Sequence, residues 1–186
     1  MTLSSDARAL LDLARELDGP LELADTPAEA ERVTTVLQRA ALDELGERGL
    51  WNLLFAAGEL SRRVDVYRAH AMFLGAASLV DRAAVEAPPG SFSAVTLEMC
   101  FDFFFARGSH PLVSLRASEV VEALGRLLGH AARPARRAAI HGLGHLIEHG
   151  RGQPWADVAV AKLDMLSDAD AELVRYAAEA KSGMLR

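Results

Sequence analysis

Three observations predict an all-α fold. Apolar residues recur at helical spacing from the first segment to the last. Proline, glycine and capping residues stand where helices start and stop. No stretch alternates apolar and polar residues with β-branched enrichment. The first helix is expected over Asp6 to Asp18, with Leu10, Leu13, Ala14 and Leu17 on one stripe and Gly19-Pro20 ending it. Thr26-Pro27-Ala28-Glu29 opens the second. Thr26 is the N-cap, Pro27 takes the first helical position and Glu29 completes a capping box, and the helix runs through Val33, Val36, Leu37 and Leu45. A third, shorter helix carries Leu50, Trp51, Leu53, Leu54 and Phe55. A fourth runs from near Asp65 to Val85, before Pro88-Pro89-Gly90.

The fifth helix, about Phe92 to Ala106, is apolar nearly all round, which marks burial on most sides. Gly108-Ser109-His110-Pro111 reads as a breaker, followed by a helix from about Leu115 to Leu128. The next helix begins at Pro134 and runs to His149. Gly150-Arg151-Gly152-Gln153-Pro154 separates it from a helix over Trp155 to Leu163, and the last opens near Asp168 or Asp170. Short loops between amphipathic helices favour antiparallel neighbours. The expectation is therefore stacked antiparallel helical hairpins, about eight or nine helices in one domain over residues 1–186. Leu143, Leu146, Ile147, Phe101, Phe104 and Val174 are core candidates.

Charge is unevenly spread within the net of −6. Residues 1–64 hold seven arginines and twelve acids, whereas 105–151 hold seven arginines, three acids and five of the six histidines. Overall acidity and the lack of a long basic stripe argue against nucleic acid as partner. The local basic segment suits an acidic one. The lone Cys100 lies in an apolar run and reads as a buried thiol, in keeping with a reducing compartment. Met1-Thr2-Leu3-Ser4-Ser5-Asp6 has neither the basic nor the apolar region of a secretory leader, and apolar runs fall short of the roughly 18 residues of a membrane span. A cytoplasmic protein with no membrane contact is expected.

Placing Arg136 over Arg175 aligns Arg, Ala, Ala, Gly and Leu in two segments 39 residues apart, a spacing that suits stacked two-helix units. Asp170-Ala171-Glu172-Leu173-Val174-Arg175-Tyr176-Ala177-Ala178 resembles the second-helix signature of HEAT-type repeats, an acidic turn followed by Val-Arg and paired alanines. Pro134-Ala135-Arg136-Arg137-Ala138-Ala139 is similar. The resemblance covers 114–186 and leaves 1–113 as a less regular helical part. It implies an α-solenoid-like stack, a form often used as a protein-binding surface.

Chemistry concentrates on the helix from Pro134. At about 100° per residue, Ala139, Ile140, Leu143, Leu146 and Ile147 form a docking stripe, while His141, His145 and His149 gather roughly opposite. Spacings of four place neighbouring imidazoles near enough to share a metal ion. Gly142 and Gly144, costly inside a helix, hint at close helix contact. Glu98 and Asp102 lie one turn apart in the phenylalanine-rich helix and need partners. An arginine (Arg107, Arg116, Arg136 or Arg137) or the histidines would serve. His70 reads as structural, His110 as a loop residue, Trp51 and Trp155 as packing anchors, and Ser109 beside His110 as a nucleophile without an orienting third group.

The leading expectation is a non-enzymatic interaction module without a cofactor. Arg133, Arg137, His141, His145 and His149 would form the surface that meets an acidic partner protein along Arg107–Arg151. The alternative is a helical metal-binding protein or metal-dependent enzyme holding zinc or iron through Glu98, Asp102, His141 and His145. The chain lacks the His-Glu dipeptides of the helical-repeat iron hydroxylases, and its acidity ranks a likeness to helical-repeat DNA glycosylases last.

Overall fold

The computed structural model describes residues 3–107 and 110–182, and among these there are eleven helices and no strand. They are α1 (Ser5–Glu16), α2 (Pro27–Arg39), α3 (Leu42–Ser61), α4 (Val66–Ala83), α5 (Phe92–Glu98), α6 (Asp102–Phe105), α7 (Pro111–Leu115), α8 (Ala117–Leu127), α9 (Arg133–His149), α10 (Pro154–Asp164) and α11 (Ala171–Ser182). Ser109, and Gly183, Met184 and Leu185 of the 39-residue correspondence, lie outside the described residues. No helix among the described residues is long and apolar enough to cross a membrane.

The start signals work as their chemistry requires. Thr26 Oγ1 accepts from the Glu29 N–H at 3.2 Å, and Asp65 accepts from Tyr67 and Arg68 N–H groups at 3.0 and 3.1 Å. The Glu29 carboxylate pairs with Arg32 at 2.7 Å instead of reaching back to close a capping box. Four features differ from the periodicity. The second helix stops at Arg39, because Ala40 and Ala41 are extended. The third is longer than expected, with Gly46 kinked at φ 62° inside it. The segment from Phe92 to Ala106 is two helices, and a short α7 precedes α8, so the count exceeds eight or nine. Around Met99–Phe101 the N–H groups of Cys100, Asp102 and Phe104 bond carbonyls three residues back, at 3.0–3.1 Å. That tight turn interrupts the helix where an apolar count sees none.

α9 is the central element, touching α4, α5, α6, α8, α10 and α11. It is therefore buried almost all round, including His141 and Gly142. A side chain on Gly142 would put its Cβ 3.0 Å from Leu124 and 3.1 Å from Phe101, so the glycine admits close contact with α8 and the turn before α6. Gly58 does the same on the other side. A Cβ there would lie 2.2 Å from the Phe103 carbonyl oxygen, so α6 is seated against α3 by backbone approach.

Of the expected core, Leu143, Leu146, Ile147, Phe101 and Phe104 are buried and Val174 is not, at 44% exposure. α11 docks through Leu173, Tyr176, Ala177 and Ala180, an i, i+3, i+4, i+7 set that leaves Val174 about 100° off the contact face. Cys100 is fully buried, and burial pushes its thiol pKa up, which makes it inert. Leu146→Ala is expected to cost about 2–5 kcal/mol in denaturant unfolding. A loss under about 0.5 kcal/mol, typical of a surface change, would remove Leu146 from the core.

Candidate metal centre

The histidine face of α9 is occupied, not free. Asp102, the first residue of α6, points one oxygen, Oδ1, at Nε2 of His141 (2.6 Å) and Nε2 of His145 (2.8 Å). One ligand atom from each of the three side chains lies within 4.8 Å of the others. The His141 and His145 side chains are 6% and 12% exposed, and Asp102 is 21% exposed, so the group is partly open on the carboxylate side. Burial would raise the Asp102 pKa, but hydrogen bonds from His141 and His145 outweigh it and hold the carboxyl below its ordinary range.

The outer ring nitrogens complete the arrangement. His141 Nδ1 is hydrogen-bonded to the Tyr176 hydroxyl, whose own pKa is pushed up to about 12 by burial. A phenol both donates and accepts. Tyr176 therefore satisfies either tautomer of His141: Nε2–H toward Asp102, or Nδ1–H with Nε2 left as a metal ligand. His145 Nδ1 is buried and has no hydrogen-bond partner among the described residues. His149, at the exposed end of α9, bonds through Nε2 to the Phe105 carbonyl at 3.0 Å.

Glu98 does not join the site. It pairs with Arg133 and Arg137, each at 3.3 Å, and burial raises its pKa against the pull of Arg137 and Arg133. The reason is register. Glu98 ends α5 and Asp102 opens α6 across the tight turn at 99–101, and the arginine-bearing turn of α9 precedes its histidine-bearing turns by a rise of about 5.4 Å per turn. The two carboxylates therefore meet different turns.

Of the arginines named as candidate partners, Arg137 does meet Glu98. Arg107, Arg116 and Arg136 pair instead with Glu59, Glu119 and Asp168, each at 2.7 Å. Arg133 also takes Asp170 (2.9 Å) and Glu172 (2.7 Å). Arg137 takes Glu172 (3.1 Å) and lies 4.5 Å over the Tyr176 ring. The basic turn of α9 thus spends its charge clipping α11 in place, and Tyr176 with it.

Sequence reading misses one feature. His110, a loop residue by periodicity, is 2% exposed. Its Nδ1 caps α7 by accepting from the Leu112 N–H (3.1 Å), and its Nε2 meets Ser61 Oγ (2.8 Å). The signal was a histidine directly before a helix-opening proline. Glu148, a possible oxygen ligand beside His149 in the sequence, lies with His145 and His149 in a second group whose ligand atoms are within 4.8 Å of one another. Trp51, stacked on Phe55 at 5.2 Å, and Trp155, packed over Gly150, are anchors as expected. No protein-family model matches the chain, and neither a curated protein nor a solved structure matches it.

Proposed function

We propose that this is a helical transition-metal-binding protein whose site is Asp102, His141 and His145. The observation that carries the reading is the convergence of one carboxylate oxygen and two Nε2 atoms, with Tyr176 behind the first histidine. Two imidazoles four residues apart on one helix and a carboxylate from a facing segment form a donor set that suits zinc with open positions. Ferrous iron is equally suited in the two-histidine, one-carboxylate manner. Tyr176 supplies the outer hydrogen bond that ligating histidines use to fix ring orientation. Chelator-stripped protein incubated with zinc, or with ferrous iron under anaerobic conditions, is expected to retain metal through gel filtration in metal-free buffer. Asp102→Ala and His141→Gln should each lose the ion of this site. No retained metal, or retention unchanged by both substitutions, would overturn the reading.

The interaction-module reading draws support from a different surface than the basic segment. Trp51, Phe55 and Phe103 pack ring to ring at 5.2–6.2 Å while only half-buried, and Phe92 and Val95 are each 50% exposed. An apolar patch of this kind suits a protein partner. Trp51→Ala is then expected to abolish capture of that partner from native cells. Charge reversal at Arg133 and Arg137 tests the Arg107–Arg151 version with an acidic partner. The HEAT-like stack is a proposal of the same standing, supported by two contact layers, α8 on α10 and α9 on α11, built from the successive pairs α8–α9 and α10–α11.

A further inference from the structure

Beyond the inner triplet, we propose a second metal ion on the outer side of His145, held by His145 Nδ1, Glu148 and His149, with the His145 ring shared between the two ions. The inference rests on the inner-site reading for the sharing, while the outer donor set has its own support. His145, Glu148 and His149 each offer a ligand atom within 4.8 Å of the other two. His145 faces both ways: Nε2 lies 2.8 Å from Asp102, and Nδ1 lies 3.8 Å from Glu148 Oε2.

That Nδ1 is the unpartnered buried nitrogen of the site. A buried polar atom without a hydrogen bond is costly, and an ion on its lone pair would relieve the cost. His149 is prepared for the same ion. Its Nε2–H donates to the Phe105 carbonyl at 3.0 Å, which leaves Nδ1 as the lone-pair nitrogen, the carbonyl-anchored state typical of ligating histidines. The three residues occupy the last turn of α9, where the helix carries partial negative charge and favours a cation. His149 also borders an open cavity of about 710 Å³ with Arg62, His110, Gln153 and Trp155.

The proton balance is explicit. A neutral His145 carries one N–H, which in the metal-free protein donates from Nε2 to Asp102. With an ion on each nitrogen that proton leaves to solvent, the ring becomes an imidazolate, and no electron is transferred. Two dications beside the ring supply the field that makes this loss possible.

The test is zinc stoichiometry on the full chain, stripped of metal, reloaded and desalted, with helix content checked by circular dichroism. Wild type is expected to hold two zinc ions, and Glu148→Gln and His149→Gln one each. Both outer residues are exposed, so these variants should fold. Asp102→Ala should retain only the outer ion. With copper(II) in place of zinc, an imidazolate bridge predicts magnetic coupling that diminishes the paramagnetic resonance signal in wild type, and a full isolated-copper signal in His149→Gln. One zinc in wild type, kept by His149→Gln and lost by Asp102→Ala, would overturn the outer ion and leave the inner site standing. Two zinc ions with uncoupled copper signals would overturn the shared histidine. No zinc at all would overturn both sites.

Discussion

Phe73→Ala is expected to destabilise the protein by about 3–5 kcal/mol, the range for truncating a buried phenylalanine. Phe73 on α4 is fully buried, and its ring lies 5.5, 6.0 and 5.8 Å from those of Phe101, Phe104 and Phe105. Those three rings bracket Asp102. The cavity left behind would thus sit directly behind the residue that presents the carboxylate to α9. The substitution should lower the denaturant midpoint and also weaken zinc retention, through disorder in the turn at 99–102. Leu10→Ala, on α1, which packs against α2 and α3, should destabilise without comparable loss of metal. A Phe73→Ala loss below about 1 kcal/mol would show that the aromatic cluster collapses around the gap.

The second large effect is a pH dependence set by His110. Burial, reinforced by the nearby Arg62 guanidinium, lowers its pKa from 6.5 to about 4. The hydrogen bonds explain why the ring stays neutral. Ser61 Oγ donates to the Gly58 carbonyl at 2.7 Å, so it accepts from His110 Nε2–H, while Nδ1 accepts from the Leu112 N–H. Neither nitrogen has room for a second proton. Between pH 6.5 and about 4 the unfolded histidine binds a proton that the folded one does not, so unfolding takes up a proton and stability rises with pH.

The contribution is complete above 6.5 and is lost as pH falls toward 4. At about 1.4 kcal/mol per unit, the full span is on the order of 3 kcal/mol. His110→Asn keeps an acceptor for the α7 cap but cannot titrate. Guanidinium unfolding at neutral pH and near pH 4 should therefore show wild type losing more stability than His110→Asn. Parallel losses in the two proteins would remove His110 as the source.

The all-α class was legible in the sequence because its signals act within a turn or two. Thr26, Asp65 and the prolines at 27 and 134 start helices through their own backbone geometry, whereas Pro111 and Pro154, which read as parts of breakers, also open helices. The stripes at Leu10, Val33, Leu143 and Leu173 follow from 3.6 residues per turn, and all four are buried. The histidine spacing was equally visible, as was the need of Asp102 for a partner.

What each polar group meets was decided elsewhere. The Asp102–His145, His141–Tyr176 and Ser61–His110 contacts join residues 43, 35 and 49 positions apart. Periodicity says which face of a helix is apolar. It does not say which neighbours that helix has, and α9 packs against α4, α5, α6, α8, α10 and α11, so a face that reads as free is enclosed. Nor does it fix the register between two helices. One turn along α9 sends Glu98 to Arg133 and Arg137, and Asp102 to His141 and His145. Local patterns set the elements by short-range backbone energetics, whereas packing and desolvation across the whole chain assembled Asp102, His141 and His145 into one group.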